Sequence, residues 1–232
     1  MQYTCLLFDA DNTLLDFSAA ERKAFRETCQ TAGILCSDEG YRQYSHINDG
    51  LWKKLERGEM TAEKLKVERF RLWLDWYRQT ERTDTRAITP ERMRDAYVVA
   101  LGKQADLMPD AEEVCRTLSA RYSHMYVITN GIGEIQRARF AATPLMQYFG
   151  RLFISGEIGY AKPDVRFFDA VLSTIGIRDR RTVLVIGDSL TSDIAGAIGA
   201  GLDCCYLSPD GKKHDLPVTY TVSRISELCA LL

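Results

Sequence analysis

Cys5-Leu6-Leu7-Phe8-Asp9-Ala10-Asp11-Asn12-Thr13-Leu14-Leu15-Asp16 is the stretch on which the reading of the whole chain turns. A short apolar run is followed at once by two aspartates one residue apart. Such a run fits a fully buried parallel strand, and its length also fits a segment of buried helix. At the end of an extended strand, positions i and i+2 point the same way, so both carboxylates face one small space. Like charges held that close repel, and they persist only with a cation, a shared proton or a phosphate chemistry to serve. A plain turn, in which Asp and Asn bond the local backbone, reads from the same letters. Later segments decide between the two.

The residues that follow read as helical. Ser18-Ala19-Ala20-Glu21 has the form of a capping box, opening a helix that runs to Ala32 and stops at Gly33. From Asp38, residues Tyr41, Tyr44, Ile47, Leu51, Trp52 and Leu55 recur at helical spacing, and Gly40 and Gly50 predict a break near Asn48. Thr61 caps a segment to Gln79 that sets Leu65, Phe70, Trp73, Leu74 and Tyr77 on one face. Polar residues 81–87 form a connection, and Thr89-Pro90 opens a further helix to about Lys103. From Pro109 the pattern changes. Helices over 110–121, 133–142, 165–175 and 192–200 alternate with the strand-like runs 124–129, 152–155, 182–187 and 204–207. Short, nearly unbroken apolar strands between helices predict an α/β fold, a doubly wound parallel sheet core covered on both faces. The expected division is a Rossmann-like core over 1–16 and 104–232, with an all-helical cap inserted over 17–103.

Bulk composition narrows the function classes. With 30 Lys and Arg against 32 Asp and Glu, the chain has no polybasic character, so no nucleic-acid partner is expected. Neither a signal-peptide pattern nor an apolar stretch of membrane-spanning length is present, so no membrane partner is expected. Seven cysteines lie scattered without CxxC spacing, several in apolar runs, which predicts reduced thiols in a cytoplasmic protein. Monomer and homodimer both remain open.

In an open α/β sheet, ligands sit at the carboxyl ends of the strands. There the sequence places Asp9 and Asp11, then Thr129-Asn130-Gly131, then Gly187-Asp188-Ser189 with Asp193 shortly after. Ala161-Lys162-Pro163-Asp164 opens a helix, so Lys162 is expected at a helix N-terminus that favours anions. Each is an ordinary turn or cap when taken alone. Together, at successive strand ends, they form a set.

That set resembles the haloacid dehalogenase-like superfamily of phosphohydrolases: Asp9-x-Asp11-x-Thr13-Leu14, a strand ending in Thr129, then Lys162, then Gly187-Asp188 with Asp193. The resemblance implies that Asp9 is the nucleophile forming an aspartyl-phosphate and that Asp11 is the general acid and then base. It implies Mg²⁺ held by Asp9, Asp188 and the Asp11 backbone carbonyl, an all-oxygen set suited to that ion. Asp193 is implied as an outer support, and Thr129, Asn130 and Lys162 as phosphate-binding groups. True dehalogenases of the superfamily lack the second aspartate, so Asp11 favours a phosphatase.

Phe8 to Phe17, the cap stretches Asn48–Trp52, Gly58–Thr61 and Glu68–Phe70, and the runs 128–131 and 155–163 are similar to the pyrimidine 5′-nucleotidase branch. Asn12 stands where relatives have an acidic residue. That branch acts on nucleoside monophosphates, including non-standard pyrimidine ones, as pool-cleaning enzymes. Phe17, Asn48 and Trp52 are candidate pocket residues for a base, with packing inside the cap as the alternative. A sugar-phosphate or phosphoglycolate-type phosphatase on the same site is the alternative enzyme, and a non-catalytic phospholigand-binding scaffold the alternative of another class.

Overall fold

The structure is a computed structural model that describes residues 3–81, 85, 87–211 and 213–232. The chain divides into two compact units, Met1–Phe17 with Ala105–Leu232, and Ser18–Gln104. In chain order the elements are β1 (Cys5–Asp9), α1 (Phe17–Thr31), α2 (Asp38–Glu56), α3 (Ala62–Glu81), α4 (Pro90–Gly102), α5 (Ala111–Ser119), β2 (His124–Thr129), α6 (Gly133–Ala141), β3 (Arg151–Ile154), α7 (Ser155–Ile158), α8 (Val165–Ile175), β4 (Val183–Gly187), α9 (Ala195–Gly199), β5 (Asp203–Leu207), β6 (Tyr220–Val222) and α10 (Leu228–Leu231). Among the described residues, no helix is long and apolar enough to cross a membrane.

The first unit carries one parallel sheet of order β3-β2-β1-β4-β5-β6. All five residues of β1 and of β4 are buried, as central strands covered on both faces must be. The period-two alternation sorts their side chains into two cores. Leu6 and Phe8 join Val114, Leu118, Phe140 and Leu145 on one face, and Cys5 and Leu7 join Phe167, Phe168, Val171 and Ile194 on the other. The strand order reverses direction between β1 and β4, and that switch point opens a crevice at the strands' carboxyl ends. β6 has no counterpart in the sequence reading. Three residues at a sheet edge carry too little periodicity to be seen.

The second unit is helical. Ser37 caps α2 by accepting from Gly40 N (3.0 Å), and Thr89 caps α4 by accepting from Arg92 N (3.3 Å) with Pro90 at the first helical position. Phe25 stacks on Tyr44 at 4.2 Å, and Trp73 meets Phe25 edge-on at 5.1 Å, forming an aromatic core with Phe70 and Tyr97. Two expectations are corrected here. α2 runs unbroken through Asn48, because Gly40 lies in its first turn, where Trp73 Nε1 donates to the Gly40 carbonyl (2.8 Å), and Gly50 is an exposed position that costs about 1 kcal/mol at most. Ser18 lies inside α1, and Glu21 serves no capping box: its buried carboxylate accepts from Asn48, Tyr41 and Ser45. The connection expected over 81–87 lies mostly outside the described residues.

Candidate active site

β1 delivers Asp9 as its last residue, and the chain then leaves the strand in a tight loop. Leu14 N and Leu15 N both donate to Ala10 O (2.9 Å), Asn12 N donates to Leu15 O (2.7 Å), and Asn12 takes a left-handed φ of 58°. Beyond the strand end the two carboxylates of the acidic pair are held by different groups. Asp9 Oδ1 accepts from Lys162 Nζ at 2.6 Å, whereas Asp11 accepts from Arg139 Nη1 on one oxygen and from Gln136 Nε2 (2.6 Å) on the other. The two carboxylates therefore keep separate partners.

Lys162 is 1% exposed, and its ammonium donates to Asp9 Oδ1 (2.6 Å), Asp193 Oδ1 (2.6 Å) and Ile128 O (3.1 Å), which engages all three of its N–H groups. It does not lie in the first turn of α8. Asp164 caps that helix by accepting from Arg166 N, and Lys162 precedes it by two residues. Asn130 differs from expectation. Its Nδ2 donates to Lys162 O (2.7 Å) and Ser192 Oγ (3.3 Å), and its Oδ1 accepts from Lys162 N (2.9 Å). Both amide hydrogens are spent on protein acceptors, so Asn130 braces the backbone of Lys162 instead of presenting a donor to phosphate. Thr129 Oγ1 accepts from Gly131 N and Gln136 Nε2, both at 2.9 Å, so its lone pairs are occupied and its hydroxyl hydrogen is the part left to offer.

Asp188 follows β4, and Asp193 stands in the single π turn Leu190–Ile194, with Oδ2 accepting from Ser189 N (3.1 Å). Carboxylate oxygens of Asp9, Asp188 and Asp193 lie within 4.8 Å of one another. Asp193, expected as an outer support, is a member of this group, and the Asp11 carboxylate is not. Gly187 makes the approach of Asp193 possible: a Cβ there would lie 2.6 Å from Asp193 Cβ.

Three carboxylates face one ammonium, and the charges do not balance. Burial, then Asp193, pushes Asp9 well above the ordinary carboxylate range, with Lys162 opposing. Asp188 is pushed up to about 7, first by burial and then by Asp193. Burial works against the Lys162 charge, but Asp193 and Asp9 more than offset it and its pKa is raised. A divalent cation on hard oxygen donors answers this surplus of negative charge, and the donor set fits Mg²⁺.

Of the candidate pocket residues, Phe17 belongs to the first unit and Asn48 and Trp52 to the second. Phe17 is partly buried, with the Arg139 guanidinium carbon 5.8 Å from its ring centroid. Asn48 is buried inside the helical unit, donating to Glu21 Oε1 (2.7 Å) and accepting from Arg69 Nη1 (3.4 Å), so its amide is committed to internal packing. Trp52 is partly buried on α2. Gln136 and Arg139, which the sequence reading passed over, are 1% and 0% exposed and stand directly on Asp11.

The chain matches the haloacid dehalogenase-like hydrolase family over residues 3–201. It is 31% identical to the pyrimidine 5′-nucleotidase YjjG of Escherichia coli, over 100% of this chain and 99% of that protein. Identity to the pyrimidine 5′-nucleotidase PynA of Streptococcus pneumoniae is 33%, over 90% of this chain and 85% of that one. The crystal structure of the HAD-hydrolase YfnB from Bacillus subtilis, bound to magnesium, superposes with a TM-score of 0.91 at 32% identity, covering 100% of this chain and 99% of that one. A dehalogenase solved with an intermediate complex has a TM-score of 0.73 at 18% identity and shares the fold. The chain belongs to the haloacid dehalogenase-like hydrolases, with the six-stranded parallel sheet and flanking helices of that family. Within it, the chain is a phosphoric monoester hydrolase.

Proposed function

We propose that this phosphatase is a Mg²⁺-dependent nucleoside 5′-monophosphatase that works through an aspartyl-phosphate on Asp9. The observation that carries the mechanism is the single ammonium of Lys162 on Asp9 and Asp193, with Asp188 completing a group of carboxylates left in negative excess. Lys162 orients Asp9, whose carboxylate oxygen attacks phosphorus as the ester P–O bond breaks. Asp11 gives a proton to the departing alkoxide, then takes one from the water that attacks the phosphoenzyme, releasing phosphate and restoring the Asp9 carboxylate. Thr129 offers its hydroxyl hydrogen to a phosphoryl oxygen. Asp9, Asp188 and the Asp11 backbone carbonyl would hold Mg²⁺, with Asp193 beside them. The bound ion would neutralise charge on the transferring phosphoryl group. The seven cysteines, all free thiols, suit a cytoplasmic setting.

The nucleotide preference is supported by the two nucleotidases that resemble this chain along most of its length. A panel of nucleoside monophosphates, sugar phosphates and phosphoglycolate with Mg²⁺ tests it. The expected best substrate is a pyrimidine nucleotide, and a sugar phosphate leading the panel would replace this reading. Trp52→Ala should then lower nucleotide turnover more than turnover of a small aryl phosphate. Equal losses would remove Trp52 from the pocket.

Metal binding should depend on pH through Asp188. Its raised pKa stabilises the metal-free fold fully below the ordinary value of 3.8, and that contribution is lost as pH rises through about 7. Mg²⁺ needs the deprotonated form. Its apparent affinity should therefore fall about tenfold per pH unit below that value, and its gain in Tm should be larger at pH 8 than at pH 6. Calorimetric titration at both pH values checks this, and an affinity that rises on acidification would contradict it.

A further inference from the structure

We propose that Gln136 and Arg139 form a clamp that positions the Asp11 carboxylate for proton transfer, and that the clamp governs turnover of esters with poor leaving groups. The inference rests on the reading of Asp9 and Asp11 given above. Gln136 and Arg139 are three residues apart on α6, so they share one face of that helix. Both are buried, which is costly for a guanidinium unless a charged partner meets it, and Asp11 is that partner. Arg139 takes Asp11 Oδ1 and Gln136 takes Oδ2, so neither oxygen can swing without breaking a bond.

Gln136 is the hinge of the arrangement. One amide hydrogen goes to Asp11 and the other to Thr129 Oγ1, while its Oε1 accepts from Arg139 Nη1 at 3.4 Å. Rotating the amide would lose all three contacts. A single side chain thus ties the proton-transferring group to the hydroxyl that meets phosphate. Room for it comes from Gly131, where a Cβ would come within 2.8 Å of Gln136 Cδ and displace the side chain.

The chemistry supplies a readout that a general loss of structure does not mimic. When the P–O bond breaks, an alkoxide must receive the Asp11 proton, whereas p-nitrophenolate leaves without it. Deprotonation of water in the second step is common to both esters. Displacing Asp11 should therefore slow the first step selectively for alkyl esters.

The test uses the full-length Mg²⁺-loaded enzyme in rapid-quench experiments with a nucleoside 5′-monophosphate and p-nitrophenyl phosphate. Arg139→Met and Gln136→Leu should slow first-turnover release of the nucleoside by about 10²-fold or more, while the p-nitrophenol burst stays within about threefold of the parent. Arg139→Lys should recover part of the loss, and Gly131→Ala should reproduce the split by pushing Gln136 aside. Equal slowing of both esters in the first turnover, or no slowing of the nucleotide, overturns the clamp. If Arg139→Met does not fold, Gln136→Leu and Gly131→Ala carry the same test. Asp9→Asn and Asp11→Asn run alongside. Phosphate release by Asp9→Asn would overturn the underlying mechanism, whereas an inert Asp9→Asn and a leaving-group split in Asp11→Asn, with clamp variants like the parent, would overturn the clamp alone.

Discussion

Replacing Asp9 with asparagine is expected to reduce phosphate release by at least about 10⁴-fold, the scale on which loss of a nucleophile acts. The substitution is nearly isosteric, and its Oδ1 can still accept from Lys162. What it removes is the anionic oxygen proposed to attack phosphorus. The fold should tolerate the change, because Asp9 is one of three carboxylates that a single ammonium already fails to balance. Loss of activity with an unchanged or raised Tm is therefore the expected pair of results. A hydroxylamine-sensitive phosphoryl adduct should be trapped on the parent enzyme and be missing from the variant, since an acyl phosphate is the intermediate at stake. Phosphate release within tenfold of the parent would end the assignment of Asp9.

Lys162→Met should cost about 3–5 kcal/mol of stability at pH 8, the usual result of removing one partner from a buried ion pair. The ammonium is fully enclosed, and its loss leaves Asp9 and Asp193 facing each other with no cation between them. The loss should shrink at pH 5. Asp188, with a pKa of about 7, then carries a proton, and burial and Asp193 shift Asp9 in the same direction, so the repulsion falls. Denaturant unfolding of the metal-free protein at the two pH values measures this directly. An equal loss at both would mean that Lys162 matters for packing and not for charge.

Much of the architecture could be read from residue order because its signals are local. β1 and β4 are unbroken apolar runs, and helical stretches separate the later strands, α8 among them opening on the Asp164 cap. Asp9 and Asp188 were legible because each closes or adjoins such a run, and Lys162 because Pro163-Asp164 beside it signals a helix start. The failures have a common cause. Glu21, Asn48 and Asn130 look like caps or exposed polar residues, and only the tertiary fold shows their side chains turned inward onto partners up to 62 residues away. Gln136 and Arg139 lie beside the buried Ile135 and Phe140 on α6, but as polar side chains on a helix they read as solvent-facing. The available signal was their spacing, three residues apart on a helix that opens just beyond Thr129. The partners of the Asp11 carboxylate were illegible for a different reason: both come from α6, more than a hundred residues along the chain.

Gly187 needs no unusual backbone angle; what it lacks is matter. The carboxylate of Asp193 fills the volume that any side chain at 187 would occupy. Sequence drift at that position is therefore shut off by occupancy alone, and alanine is as foreign there as tryptophan. The grouping of Asp193 with Asp9 and Asp188, on which the proposed metal site depends, is thus tethered to one absent methyl group.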